Sequence, residues 1–139
     1  MEIDLALLAD AATVDASGKL NILGVFDRLT TAHFPVQHGR ISLVLRFQAV
    51  VQDTGRHQIQ ITFADPKGKE VVGLNGEIQI GAGKQAVENG VRVPQVLNLD
   101  GIVFEEAGRY TFDVKIDGQH HVSIPLVVEG PPATGMAQA

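Results

Sequence analysis

The residues from Glu105 to Glu129 alternate between apolar and polar side chains along two consecutive segments. The apolar positions are Tyr110, Phe112, Val114 and Ile116 in the first segment, and Val122, Ile124, Leu126 and Val128 in the second. Asp117-Gly118 separates the segments and supplies the positive φ angles that a tight hairpin turn needs. Because successive side chains of a strand point to opposite faces, each segment buries one face. This stretch therefore predicts a β-hairpin packed on a core.

The rest of the chain continues this pattern of strands and turns. Eight candidate strands are separated by Gly, Asp, Pro and Asn signals, and no segment of useful length has the helical period. The first six cover residues 3–14, 19–26, 40–51, 56–64, 70–80 and 96–104, and the hairpin supplies the last two. Frequent turns without an intervening helix favour an all-β sandwich over a parallel α/β sheet.

The length of the chain fits one domain with one core. We expect residues 1–129 to form the β-sandwich domain. Residues 130–139, GPPATGMAQA, are small, contain prolines and have no periodic pattern, so we expect a flexible C-terminal tail there.

Two segments resemble known β-sandwich proteins. The sequence from Glu106 to Tyr110, followed by Phe112, resembles the tyrosine corner of immunoglobulin-like sandwiches, whose tyrosine hydroxyl bonds nearby backbone. Residues 7–29, LLADAATVDASGKLNILGVFDRL, resemble the N-terminal signature of small uncharacterised bacterial β-sandwich proteins, a family of unknown function. Phe112 stands where antibody domains carry a cysteine, so antibody-type membership is not expected. The resemblances imply a single immunoglobulin-like antiparallel β-sandwich of about seven to nine strands, and they assign no functional residues.

The composition excludes several chemistries. The chain has no Cys, which removes disulfides, thiolate zinc sites and cysteine nucleophiles and fits a reducing compartment. The N-terminal MEIDLALLAD carries acidic residues where a secretory signal carries basic ones, so we expect a cytoplasmic protein. A formal net charge of −5 disfavours binding to nucleic acid and to anionic membranes.

The acidic turns offer one candidate metal site. If eight strands alternate strictly in direction, the odd-numbered connections emerge at one end of the sandwich. Those connections contain Asp15, Asp53, Glu88 and Asp117. Ca²⁺ takes six to eight oxygen ligands, often from adjacent loops. The pattern therefore admits a Ca²⁺ or small-ligand site, although each Asp also fits the ordinary chemistry of turns.

A catalytic site would require two histidines to converge with a carboxylate. His120 shares the phase of Val122, and His57 shares that of Ile59, so the two could meet if their strands are neighbours. No phosphate loop, nucleophile elbow or closed metal-ligand set has the required spacing. We therefore expect no enzymatic activity and no cofactor.

The remaining hypothesis is a non-catalytic interaction or scaffold module that binds a partner protein or a second copy of itself. Any open sandwich has edge strands with unpaired backbone groups. The fifth candidate strand contains Gly73, Asn75 and Gly76, residues with weak β-propensity. This composition is typical of an edge strand or a bulged strand.

Overall fold

The computed structural model describes residues 1–81 and 90–131 and shows an all-β chain. Eight strands have seven or more residues, and they correspond to the eight candidate strands. These strands are β1 (Glu2–Val14), β2 (Leu20–Phe26), β5 (Arg40–Ala49), β6 (Gly55–Ala64), β7 (Glu70–Ile80), β8 (Val91–Asp100), β10 (Gly108–Ile116) and β11 (Gln119–Glu129). Three short strands lie between them: β3 (Arg28–Thr30), β4 (Val36–Gln37) and β9 (Val103–Phe104). A single 3₁₀ turn, Val51–Asp53, connects β5 to β6 within the described residues.

The long strands form two sheets. One sheet has four strands in the order β2-β1-β5-β8, and the other has five in the order β3-β11-β10-β6-β7. Strands β4 and β9 form a separate two-stranded pair. Every pairing is antiparallel except that of β3 with β11, which is parallel. The predicted all-β sandwich is confirmed.

The core lies between the two sheets, and β5 contributes most to it from the four-stranded side. Its alternate residues Ile41, Leu43, Leu45, Phe47 and Ala49 are all at most 1% exposed. Burying a large aliphatic or aromatic side chain stabilises a fold by about 1.5–3 kcal/mol. The alternation along this one strand therefore makes a large contribution to holding the sheets together.

Aromatic side chains dominate the facing sheet. The ring of Phe63 on β6 lies 4.1 Å from Phe112 and 5.6 Å from Tyr110 on β10, measured between ring centroids. Phe104 meets Tyr110 edge-on at 5.0 Å. The cluster fixes the stacking of β6 against β10, since such aromatic pairs contribute beyond their buried area.

The corner before β10 has the hydrogen bond that the sequence motif predicts. The hydroxyl of Tyr110 donates to the carbonyl oxygen of Glu106 at 2.8 Å. Burial of the ring raises the pKa of the Tyr110 hydroxyl, so it remains a donor at neutral pH. The bond closes the turn that leads into β10.

The sixth candidate strand is displaced from its predicted bounds. The structure begins β8 at Val91 and ends it at Asp100, so that Pro94 lies inside the strand, opposite Arg46. Proline is tolerated there because β8 is an edge strand, whose outer backbone groups need no ladder partner. The connection from β7 spans residues 81–90, of which residues 82–89 lie outside the described part of the chain. From residue 132 onward, the predicted tail lies outside the described residues.

Substituting Tyr110→Phe should lower the free energy of unfolding by about 1 kcal/mol, because the Glu106 carbonyl loses its donor while the ring packing is retained. Urea denaturation followed by far-UV circular dichroism measures the change. An unchanged transition midpoint would show that the corner bond adds nothing to stability.

Candidate functional site

The four carboxylates predicted for a calcium site do not share one end of the sandwich. Asp53 and Asp117 lie at the same end, where both contact His57. Asp15 lies at the opposite end, because β1 runs antiparallel to β5 and the turn after β1 follows its far end. Glu88 falls outside the described residues.

The placement predicted for Asp15 is wrong because the chain reverses once more than eight alternating strands imply. The short strand β3 pairs in parallel with β11 and adds a reversal between β2 and β5. The turn between β1 and β2, which contains Asp15, therefore emerges opposite the turns at Asp53 and Asp117. Three residues of parallel pairing are too few to show a period in the sequence.

Asp15 has a complete role within its own turn. Its Oδ1 accepts hydrogen bonds from the backbone N–H groups of Ser17 and Lys19, both at 2.9 Å, and from the Ser17 hydroxyl at 2.7 Å. The Ser17 hydroxyl, followed by the Lys19 amide, lowers the pKa of Asp15. This is the turn chemistry that short acidic side chains provide.

At the other end of the sandwich, His57 links two connections. Its Nδ1 donates to Asp117 Oδ2 and its Nε2 donates to the backbone carbonyl of Asp53, both at 2.6 Å. Neither acceptor carries a hydrogen at neutral pH, so the geometry requires a proton on both ring nitrogens. The Asp53 carbonyl, followed by the Asp117 carboxylate, raises the pKa of His57. Both acceptors therefore favour the imidazolium form of His57.

The two carboxylates beside His57 have further donors. Asp53 Oδ1 accepts from the terminal ammonium of Met1 and its Oδ2 from the amide of Val50, both at 2.8 Å. The Met1 ammonium, followed by the Val50 amide, lowers the pKa of Asp53. A Ca²⁺ ion bound through Asp53 would have to displace these donors.

Asp117 is bonded in the same way. Its Oδ1 accepts from the amide of Gln58 at 2.9 Å, and its own amide donates to the Gln58 carbonyl at 2.8 Å. The Gln58 amide, followed by the His57 side chain, lowers the pKa of Asp117. The turn between β10 and β11 is thereby tied to the start of β6.

The predicted approach of His57 and His120 does not occur. Strand β10 lies between the strands that carry them, and the pairing of β10 with β11 shifts register between Val114 and Lys115. Lys115 pairs with His120 and Val114 pairs with Val122, so β11 has one extra residue at this point. The extra residue turns His120 to the outer face, whereas strict alternation would place it inward.

His121 occupies the inner rim instead. Its ring nitrogens lie 2.9 Å from the Gln119 carbonyl oxygen and 3.1 Å from the Met1 carbonyl oxygen. His121 therefore completes the end of the sandwich that contains His57. A one-residue bulge leaves no pattern in the sequence. Alternation alone therefore predicts the wrong face for His120.

On its outer face, the hairpin of β10 and β11 brings together three polar residues whose proximity the sequence does not predict. His120 Nε2 lies 2.8 Å from Ser123 Oγ and 3.4 Å from Asp113 Oδ1, and Ser123 Oγ donates to Asp113 Oδ1. In a catalytic triad the acid holds the other ring nitrogen of the histidine. Here the serine and the acid meet the same nitrogen, so the arrangement is not that of a triad.

A second candidate site is a cleft of about 90 Å³ between β7 and β8, the adjacent edge strands of the two sheets. Its floor is formed by core side chains. These are Leu45 and Phe47 of β5 and Ile59 and Ile61 of β6. Leu74 and Ile78 of β7 and Gln95 and Leu97 of β8 form its walls. The lining is mainly apolar, as in most ligand pockets.

Gly76 opens this cleft. It pairs with Ile59, so it occupies the inward phase of β7 between Leu74 and Ile78. A Cβ atom at Gly76 would have no heavy atom within 4 Å, apart from its chain neighbours. The inward row of β7 therefore has a notch one side chain wide. β7 is also an edge strand, one of the two alternatives that its glycines suggested.

Among residues 1–81 and 90–131, no cluster of three or more His, Cys, Asp or Glu side chains is arranged to hold a metal ion. The calcium hypothesis for Asp53, Glu88 and Asp117 stays a prediction. The same ranges contain no helix with the length and hydropathy of a membrane span.

Comparison with known families identifies the chain. A model for a family of unknown function, DUF6941, matches residues 4–129. The chain belongs to the DUF6941 family. The resemblance of residues 7–29 to an uncharacterised β-sandwich family is thereby confirmed. The matched range covers ten of the eleven described strands completely and all of β1 except Glu2 and Ile3. No curated protein matches the chain.

The state of His57 predicts a pH dependence of stability. A histidine whose pKa is raised on folding contributes stability that is fully present below its unfolded pKa of about 6.5. The contribution is lost as the pH rises through the folded value, because a neutral imidazole can donate to only one of its two acceptors. Urea unfolding across this pH range should show a free energy of unfolding that falls as the pH rises.

The controls separate His57 from the other titrating groups. His57→Gln should flatten the slope above pH 6.5, because glutamine does not titrate there. His33→Gln changes an exposed loop histidine and should keep the slope of the unmodified protein. Equal slopes in all three proteins would contradict the assignment to His57.

Proposed function

We propose that this DUF6941 chain is a non-catalytic protein-interaction module that binds an extended segment of a partner protein along the free edge of β7. One aliphatic side chain of the partner enters the cleft at Gly76. The observation that carries the proposal is the notch at Gly76, which lies on an edge strand and opens onto core side chains.

Backbone pairing supplies the first part of the interaction. β7 pairs with β6 on one side and with no other strand among the described residues. Half of its N–H and C=O groups therefore face outward and can form a ladder with an added strand. Domains that bind peptides by strand addition combine such a ladder with pockets for alternate side chains.

The cleft supplies the second part. A partner side chain at the level of Gly76 would contact Leu45, Ile59 and Leu97, which belong to the core or pack against it. Burying one aliphatic side chain there contributes about 1.5–3 kcal/mol to binding before the entropic cost of association. Gln95, exposed on the opposite strand, provides an amide at the rim for a polar contact.

Charge at the rim indicates the chemistry of the partner. Strand β7 carries Glu70 and Glu77; Glu77 accepts from the Gln58 side-chain amide at 3.0 Å and lies 3.8 Å from Arg56. Both acids are on an exposed edge. The partner segment that fits best has an aliphatic residue flanked by Lys or Arg.

Two further parts of the proposal concern the fold and the compartment. We assign the sandwich to the immunoglobulin-like kind, which is supported by the two-sheet strand order and by the corner bond from Tyr110 to Glu106. We assign the protein to the cytoplasm, which is supported by a sequence without Cys.

Phage-displayed random nonapeptides selected on the immobilised protein test the interaction. The selected peptides should share an aliphatic residue with basic neighbours and should shift the amide resonances of Asn75, Gly76 and Glu77 in NMR spectra. Gly76→Val fills the notch and should weaken binding of the selected peptides at least tenfold, about 1.4 kcal/mol. Gly39→Val, at another glycine with open space around its Cβ position, should bind like the unmodified protein.

Two results would overturn the proposal. One is that no peptide is selected, and the other is that Gly76→Val and Gly39→Val bind the selected peptides equally well. Circular dichroism of both variants verifies that the fold is retained.

Filling the notch should also stabilise the isolated chain. Gly76→Ala should raise the free energy of unfolding by about 0.5–1 kcal/mol, because glycine loses more backbone entropy on folding than alanine and the added methyl meets no clash. Thermal and urea denaturation measure the gain. A loss of stability would show that the cleft does not have the open space described above.

A further inference from the structure

The edge strand β2 differs from the other edges of the two sheets. Its seven residues, LNILGVF, include no charged side chain and no proline. β8 carries Arg92 and Pro94, β7 carries two acids, and β3 has only three residues. Charges, prolines and short lengths protect edges from pairing with another chain. By these measures, β2 is the unprotected edge of the described strands.

Exposed apolar side chains lie beside this free edge. Leu23 is 71% exposed and Val25 is 61% exposed, and both lie on the face of β2 that carries Ala9 and Ala11 on β1. In β1, residues beyond Ala9 have no partner in β5, so the β1–β2 hairpin extends past the neighbouring strand. The hairpin therefore presents both unpaired backbone and apolar surface.

The hydrogen-bond phase of the hairpin identifies which backbone groups are free. The amide of Asp15 donates to the Lys19 carbonyl at 2.9 Å. In an antiparallel ladder the hydrogen-bonded pairs recur every second residue. Counting from Lys19, the backbone groups of Leu23 and of the other odd-numbered residues of β2 therefore point toward β1. The N–H and C=O groups of Leu20, Ile22 and Phe26 then face outward. Gly24 bends the strand with φ of +72°, but Leu23 and Val25 on either side of it keep one register with β1.

In one register of two paired β2 strands, the outward-facing backbone groups of the two copies lie opposite each other. If two β2 strands pair antiparallel about a twofold axis at Leu23, then Leu20 of each copy lies opposite Phe26 of the other. These are residues whose backbone groups are free, so the ladder can form. Leu23 meets its own copy at the axis, where side chains on the same face come closest.

The same register is complementary in charge. Lys19 precedes the strand and Asp27 follows it, where its carbonyl accepts from the amide of Val127. Pairing about Leu23 brings each Lys19 to the level of Asp27 of the other copy, one residue beyond each end of the ladder. The two contacts are related by symmetry, so both are attractive. Neither side chain has an ion-pair partner within 4.0 Å among the described residues.

We propose that a second copy of this chain binds the β2 edge, forming a twofold dimer in which two four-stranded sheets join into one continuous sheet of eight. The register places Lys19 of each copy beside Asp27 of the other and Leu23 at the axis. This surface lies on a different sheet from the β7 edge, so dimerisation does not depend on the proposed peptide site.

Charge reversal tests the register directly. Sedimentation velocity over a concentration series should show a monomer–dimer equilibrium for the unmodified protein. Lys19→Asp and Asp27→Lys should each raise the dimer dissociation constant about tenfold, because each change creates two like-charge contacts per dimer. An equimolar mixture of the two variants should regain the original dissociation constant, because both contacts between unlike copies are then attractive.

Removal of the axial contact provides a second test. Leu23→Asp places two carboxylates at the axis and should abolish the dimer without unfolding the chain, since Leu23 is exposed. Val51→Asp changes a valine of similar exposure, 58%, at the opposite end of the sandwich and should leave the dimer unchanged. Circular dichroism establishes that both variants are folded.

Three results would overturn the proposal. The first is a monomer at every concentration up to about 1 mM, which corresponds to less than about 4 kcal/mol of association free energy. The second is open-ended growth beyond a dimer, because a twofold contact closes on itself. The third is a mixture of Lys19→Asp and Asp27→Lys that associates no better than either variant alone.

Discussion

The packing of β5 against the aromatic cluster of the opposite sheet is the interaction on which the rest of the structure depends. Every second residue of β5 from Ile41 to Ala49 is buried, and these residues share one core cluster with Phe63, Tyr110 and Phe112 of the facing sheet. Both strands beside β5 are placed by this contact, since β8 pairs with it in one continuous register and β1 pairs with it with a single shift between Ile3 and Leu5. Replacing the alternating apolar residues of β5 with polar ones would therefore disrupt the core that both sheets share, and the effect would not be confined to β5.

The two proposed binding surfaces lie where this packing stops. At the β7 and β8 edges, the inward row lacks a side chain at Gly76, and the core becomes accessible from outside. At the β1–β2 hairpin, the strands extend beyond β5, and Leu23 and Val25 are exposed on the face of β2 opposite the core-facing Phe26. Both surfaces therefore combine unpaired backbone with apolar area, which is the combination that strand addition uses.

The charged groups at the end that contains His57 have a structural role in this arrangement. Met1, Asp53, His57 and Asp117 connect the first strand, the 3₁₀ turn and the last hairpin through bonds of 2.6–2.8 Å. Their opposite charges hold loops that contribute little to the core. Because each carboxylate oxygen and each nitrogen of His57 has a partner, the cluster orders the chain at this end.

By itself the sequence determined the eight long strands and the hairpin, because period-two alternation and turn chemistry depend on residues close along the chain. It did not determine that Asp15 lies opposite Asp53, because a three-residue parallel strand reverses the chain without a local pattern. It also placed His120 on the wrong face, because the bulge at His121 exists only through the pairing of β10 with β11. The contacts of His57 and the cleft at Gly76 join residues distant in sequence, so only the packing of the sheets decided them.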